Sequence, residues 1–73
     1  MDWTDCPIVE RVPGKAGGEP LVKGTRILAD VIVDEFEAGS SVEEIRENYP
    51  KLSGDTILDL IAFANALRSQ PRR

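Results

Sequence analysis

Residues 21–27 read Leu21-Val22-Lys23-Gly24-Thr25-Arg26-Ile27, and they separate a turn-rich segment from three helical patterns. Just before them, residues 13–20 are dense in glycine and proline, which favour turns. Residues 8–12 are strand-like, and Leu21-Val22 begins a second strand that leads into Thr25-Arg26-Ile27. Because the connection is too long for a two-residue loop, we predict a loose β-hairpin over residues 7–26. An isolated two-stranded hairpin is marginal in water, so this one must pack on the helices or on another subunit.

The first helical pattern spans about Leu28 to Ala38. At about 100° per residue, its apolar side chains form a single stripe, made of Leu28, Ala29, Ile32, Val33 and Phe36. Gly39 follows at the position where a glycine in the left-handed conformation commonly ends a helix. The pattern therefore predicts an amphipathic helix that stops at Gly39.

Two further patterns complete the chain. Ser41 and Glu44 have the spacing of a capping box, so they predict the start of helix two, which Pro50 ends. Ser53 has the position of an N-cap for helix three, which we expect to run to about Arg68. Two short helices joined by a turn over residues 50–52 have the layout of a helix-turn-helix.

Length and composition indicate one small domain over residues 1–73. The parts are a β-hairpin over 7–26, a three-helix part over 28–68 and a basic tail over 69–73, so the predicted fold class is mainly α with a small N-terminal β-hairpin. The chain has 73 residues, 41% of them hydrophobic, so it is globular but thinly stable. Its one cysteine and lack of histidine exclude an internal disulfide and a zinc-type ligand set. Self-association or a partner chain is the remaining way to stabilise so small a core.

Charge is unevenly distributed along the chain. The net charge is −4, and residues 27–60 hold nine acidic residues against Arg46 and Lys51. An acidic body argues against a large nonspecific nucleic-acid surface, which needs clustered lysine and arginine. No apolar run approaches the roughly 20 residues of a membrane span, and no signal peptide precedes the fold. Together with the free Cys6, this predicts a cytoplasmic protein that does not enter membranes.

No motif predicts an enzyme. Residues 18–25 have the length of a phosphate-binding loop, but Lys23 and Gly24 are transposed relative to that pattern, and Pro20 removes an amide. Cys6 has no histidine to activate it. The carboxylates around Asp34 and Glu43 are typical of a solvated helix face. We therefore expect no catalytic residue, no cofactor and no metal.

Lys23 and Arg26 flank Gly24-Thr25 and form the best positive pair for an anionic partner such as DNA. Both precede helix one, whose N-terminal dipole also favours anions. The alternative is that Arg26 bonds backbone carbonyls or an acidic residue and so locks the hairpin to the helix.

Helix three carries more apolar residues than one face can hold. Ile57, Leu60, Ile61, Ala64 and Leu67 already fill one side, and the second apolar face comprises Leu58, Ala62, Phe63 and Ala66. A helix that is apolar nearly all round is expected to be covered on more than one side. We therefore predict that the second face forms a homodimer or partner interface. The alternative is that Phe63 packs under the hairpin.

Several short motifs together resemble one family: Trp3, Cys6-Pro7, Gly14-Lys15, Gly24-Thr25-Arg26-Ile27 and Tyr49-Pro50. In this order they resemble the small bacterial domain-of-unknown-function family four-three-three, from about Trp3 to Leu67. Many of its members look like VapB-type antitoxins beside PIN-type ribonuclease toxins. The resemblance implies a hairpin followed by a homeodomain-like helix-turn-helix. It also implies an antitoxin-like binding protein that neutralises a PIN-like nuclease and, as a complex, binds its own promoter.

Two features depart from that family. Many relatives have proline where Leu28 stands, so helix one is expected to start earlier here. Helix three opens with Ser53-Gly54-Asp55-Thr56 and continues through Asp59, whereas a DNA-reading helix presents arginine, lysine, asparagine or glutamine to the bases. We therefore expect DNA to be bound mainly by the complex.

The basic tail is the candidate toxin contact, through Arg68, Arg72 and Arg73. Arginine can pair with the carboxylates of a nuclease site in a bidentate fork. The alternative is that these arginines only solubilise the terminus and favour the end of the helix three dipole. At the level of function, the alternatives are a helix-turn-helix transcription regulator without a toxin and a simple dimerisation module.

Overall fold

Two short strands and three helices are present in the computed structural model, which describes residues 1–69. The elements are β1 (Val9–Glu10), β2 (Leu21–Val22), α1 (Ala29–Glu37), α2 (Val42–Asn48) and α3 (Gly54–Ser69), with a single 3₁₀ turn at Ala16–Gly18 in the hairpin loop. The predicted hairpin followed by three helices is therefore confirmed. Within residues 1–69, no helix is long and apolar enough to cross a membrane.

The hairpin is shorter than its sequence suggests. β1 and β2 are antiparallel, with Val9 opposite Val22 and Glu10 opposite Leu21. The second strand does not continue to Ile27, because the chain turns at Gly24, which has a φ of +78°. After this turn Leu28 forms an isolated antiparallel bridge with Leu21, so β2 is paired on both sides.

The helix ends follow local signals. α1 begins at Ala29 with Leu28 as an extended N-cap, so the expectation of an earlier start is wrong. Leu28 cannot join the helix because its backbone is bridged to Leu21. Gly39 ends α1 with a φ of +109°, as predicted.

The predicted caps of α2 and α3 are confirmed. The Glu44 amide donates to Ser41 Oγ at 3.1 Å, and the Ser41 amide donates to Glu44 Oε1 at 2.9 Å. At α3, the Thr56 amide donates to Ser53 Oγ at 3.1 Å. The turn over residues 49–53 joins α2 to α3 in the layout of a helix-turn-helix.

One core lies between the hairpin, the N-terminal segment and the helices. Its largest fully buried side chains come from β2 and the three helices, and they are Leu21, Ile32, Ile45, Ile57 and Leu60. Phe36, expected in the stripe of α1, is 39% exposed. It lies one turn beyond Val33, the last buried residue of that helix, and so reaches only the edge of the core.

Candidate binding surfaces

The turn between β2 and α1 is held by Thr25. Its backbone amide and its hydroxyl both donate to the Val22 carbonyl, at 3.0 and 2.7 Å, and the hydroxyl accepts from the Ile27 amide at 3.0 Å. Gly24 donates its amide to Glu10 Oε2 on β1 at 3.1 Å. These bonds explain why the turn follows the second strand so closely.

Lys23 and Arg26 both lie on this turn and are exposed. Within residues 1–69, neither forms an ion pair or a side-chain hydrogen bond. Within residues 1–69, Arg26 therefore does not lock the hairpin to the helix, and the hydroxyl bonds across this turn are those of Thr25 with Val22 and Ile27. The two cations are free to contact an anionic partner.

The predicted second face of α3 is divided. Leu58 is 53% exposed, and Ala62 and Ala66 are exposed beside it. Phe63 is half-buried and stacks on Trp3, with ring centroids 5.5 Å apart and planes 19° from parallel. Five residues along a helix turn the side chain by about 500°, so Phe63 lies on a different flank from Leu58. Phe63 therefore packs within the chain, on Trp3, and the exposed members of the predicted interface are Leu58, Ala62 and Ala66.

Trp3 is the residue whose role the sequence did not reveal. It is only 4% exposed, and its indole Nε1 donates to Asp30 Oδ1 at 2.7 Å. The sequence gives one indication of this role. A tryptophan that is buried needs a hydrogen-bond acceptor for its indole N–H. Nothing in the local sequence identifies Asp30 as that acceptor, because 27 residues separate them.

The exposed face of α3 also carries acidic residues. Asp55 and Asp59 are exposed one turn apart beside Leu58, and Arg68 is the only basic residue of the helix. This face is therefore apolar at its centre and acidic at its edge.

Arg68 is the only arginine of the predicted toxin contact that the structure describes. Its guanidinium pairs with the Glu37 carboxylate at the end of α1. Arg72 and Arg73 lie outside the described residues.

Carboxylates elsewhere serve structural roles. The pKa of Glu44 is lowered, first because its carboxylate accepts the Ser41 amide and second because it interacts with the Ser41 hydroxyl. Burial raises the pKa of Tyr49, whose hydroxyl donates to Glu35 Oε2 at 3.1 Å.

In residues 1–69 no group of three histidine, cysteine or acidic residues is placed to hold a metal ion. Cys6 is buried.

Comparison with known proteins gives a relative by sequence and a neighbour by structure. The chain is 37% identical over 67 residues to the uncharacterized protein y4eO of Sinorhizobium fredii (strain NBRC 101917 / NGR234), covering 89% of this chain and 30% of the relative. Its fold matches the crystal structure of a DUF433 member protein from Anabaena variabilis ATCC 29413 with a TM-score of 0.68 at 24% identity. That alignment covers 81% of this chain and 58% of the other, so the chain spans only part of both relatives.

A family model described as protein of unknown function (DUF433) matches residues 9–64, from β1 through most of α3. The match takes in the hairpin, the Thr25 turn and all three helices up to Ala64. The chain therefore belongs to the DUF433 family of proteins of unknown function.

Proposed function

We propose that this chain is a non-enzymatic, antitoxin-like binding protein of the cytoplasm, which neutralises a PIN-like nuclease by direct contact. Its docking surface is the exposed face of α3, defined by Leu58, Ala62 and Ala66 with Asp55 and Asp59 at its edge. The C-terminal arginines Arg68, Arg72 and Arg73 are the groups that would pair with the acidic site of the nuclease.

One observation carries the proposal: Leu58 is 53% exposed on the helix that a helix-turn-helix would use to read DNA. The exposed carboxylates of Asp55 and Asp59 repel phosphates. The leucine beside them offers no hydrogen-bond donor to base edges. The same surface suits a protein partner, since exposed apolar positions commonly mark interaction sites. The acidic edge favours a partner whose groove is rimmed by lysine or arginine.

The arginines would act at the nuclease site itself. A PIN-like nuclease binds metal through carboxylates, and a guanidinium pairs with such groups in a bidentate fork. Arg68 is nearly half exposed in its pair with Glu37, so it can exchange one carboxylate for another.

Promoter binding belongs in this proposal to the complex. Lys23 and Arg26 are exposed and have no ion pair within residues 1–69, so they can add phosphate contacts to those of a more basic partner. The remaining surface of α1 and α2 is acidic and opposes DNA binding by the chain alone.

The test is co-expression with the nuclease encoded beside this gene, with growth rescue and co-purification as readouts. Leu58→Lys places a cation in the centre of the docking surface and is expected to abolish both. Phe36→Lys is the matched control, because Phe36 is also a partly exposed large hydrophobic residue but lies on α1. Circular dichroism and thermal unfolding check that both variants remain folded.

Failure of the wild-type chain to bind or neutralise the nuclease would overturn the proposed function. If the wild type rescues growth and folded Leu58→Lys rescues equally well, the surface is misplaced. In that outcome the hairpin or the tail must make the contact.

A further inference from the structure

The N-terminal arm, residues 1–7, is attached to the fold by few contacts. Only Trp3 and Cys6 of the arm are buried, whereas Met1 is 46% exposed. Its backbone bonds are local: the Cys6 amide donates to the Trp3 carbonyl, and the Val9 amide donates to the Cys6 carbonyl. Within residues 1–69, no backbone hydrogen bond joins the arm to a helix. The arm can therefore separate without breaking the hairpin or the helices.

The place that receives the Trp3 side chain, here called the indole slot, belongs to other elements. One wall is the Phe63 ring on α3, and the acceptor for the indole N–H is Asp30 on α1. Both residues lie within the segment that the family model matches, whereas the arm precedes it. The slot offers a flat aromatic face and one carboxylate acceptor, which is the chemistry that recognises an indole.

The arm does not pack closely on the hairpin. A cavity of about 430 Å³ opens between the two, lined by Met1–Thr4 on one side and by Val9–Arg11 and Pro20 on the other. Trp3 itself is nearly fully buried at the edge of this space. The arm is thus held to the fold by two buried side chains, Trp3 and Cys6, of which Trp3 is the larger.

The backbone of the arm is folded into turns and can therefore extend. Its two bonds close consecutive reverse turns, from Trp3 to Cys6 and from Cys6 to Val9. If both turns straighten, the six residue-to-residue steps from Trp3 to Val9 can span about 20 Å, at about 3.3 Å per step. That distance is enough for Trp3 to leave its own slot and reach a neighbouring molecule.

We propose that the indole slot is an intermolecular site whose occupant is Trp3 of a second copy, so that two chains exchange N-terminal arms. Trp3 is the only tryptophan of the chain, and its fit to both slot contacts is already present in the closed form. Exchange reproduces these contacts in reciprocal form, as in domain swapping. The closed monomer keeps both turns and the exchanged dimer releases them, so rising concentration shifts the balance toward the dimer. This proposal does not depend on a nuclease partner.

Sedimentation velocity from micromolar to millimolar concentration tests the proposal. We expect a monomer that converts to a dimer as concentration rises. The dimer should be lost in Trp3→Ala, which keeps the indole slot, and in Phe63→Ala, which keeps the Trp3 side chain. Phe36→Ala is the matched control, because it removes an exposed aromatic ring outside the slot and should dimerise like the wild type. Circular dichroism shows whether each variant is folded, and Asp30→Ala replaces Phe63→Ala if the latter is not.

Mixing the two defective chains gives the deciding measurement. Trp3→Ala has an intact indole slot but no tryptophan, and Phe63→Ala has the tryptophan but a damaged slot. Because each variant supplies what the other lacks, the mixture should recover a dimer. Its only tryptophan should show blue-shifted, quencher-protected fluorescence. A wild type that stays monomeric at all concentrations, a dimer that persists in Trp3→Ala, or a mixture that stays monomeric would each overturn arm exchange.

Discussion

The guanidinium of Arg68 pairs with the carboxylate of Glu37, so the last turn of α3 is joined to the last turn of α1. Both side chains remain close to half exposed, at 47% and 40%. Exposed ion pairs contribute little to stability, because water and salt screen them. The pair therefore positions the Arg68 side chain but contributes little to the stability of the fold.

Deletion of residues 68–73 should leave the fold intact but weaken neutralisation of the nuclease. Loss of the exposed pair should lower the free energy of unfolding by less than about 1 kcal/mol. Loss of the arginines should remove contacts to nuclease carboxylates. Urea unfolding measures the first effect and growth rescue measures the second. Glu37→Gln is the control, because it breaks the same pair and keeps the arginines; equal rescue by the truncated and full chains would exclude the tail as the inhibitory element.

Gly24→Ala should destabilise the chain by about 1–2 kcal/mol, the cost of placing a side chain in the left-handed conformation. Gly24 has a φ of +78°, and no atom lies within 4 Å of where a Cβ would stand, so the cost is that of the backbone alone. Gly54→Ala is the matched control, because Gly54 begins α3 without positive φ and has equal space. It should stabilise the chain by about 0.4–1 kcal/mol. Chemical denaturation measures both, and equal effects would contradict the assigned turn strain.

Stability should fall in acid through Glu44. Its pKa is lowered in the folded state by hydrogen bonds with Ser41, so the stabilisation is complete above the pKa of glutamate in the unfolded chain. It is lost as the pH falls from that value through the folded-state pKa. Glu44→Gln should flatten this part of the curve of unfolding free energy against pH, whereas Glu47→Gln, on the same helix, should not.

Ser41→Ala should remove the other half of the capping box. The expected loss is about 1 kcal/mol, the usual effect of replacing an N-cap serine. It should also reduce, without removing, the acid dependence attributed to Glu44, since the hydroxyl no longer interacts with the Glu44 carboxylate whereas the backbone amide of residue 41 still donates to it. Thermal unfolding across the acid range measures both effects, and an unchanged acid slope would show that the Ser41 hydroxyl plays no part in it.

DNA binding by the isolated chain should be weak and salt-sensitive. If a dimer uses Lys23 and Arg26 of each chain, four phosphate contacts predict a slope of about −3.6 in log affinity against log salt. Lys23→Ala removes two of these contacts per dimer and should reduce the slope to about −1.8. Fluorescence anisotropy with promoter DNA measures the slope, with Lys51→Ala as a control outside the turn. Tight, base-specific binding at physiological salt would instead favour a transcription regulator without a toxin.

Local sequence was sufficient for the helix ends. The Ser41–Glu44 box, the Ser53 cap and the Gly39 stop were each predictable, because every interaction they use lies within a few residues along the chain. The hairpin was predictable as a unit but not in its length. Its second strand ends at Val22, since the Thr25 hydroxyl and amide both bond the Val22 carbonyl and turn the chain.

The candidate surfaces depended on contacts between distant residues. The apolar character of α3 is visible in the sequence. Only the stacking of Trp3 on Phe63 distinguishes Phe63, which packs within the chain, from the exposed Leu58. Arg68 pairs with Glu37 of α1, a residue far from it in sequence, and Arg26 has no ion pair within residues 1–69. Periodicity and capping are set by neighbours along the backbone, so the sequence by itself determined which segments are helical and where they begin and end, except for the start of α1, which the Leu21–Leu28 bridge fixes. Only the tertiary structure decided which apolar and charged side chains remain exposed, because burial depends on segments such as residues 1–7 that pack across the chain without a local pattern.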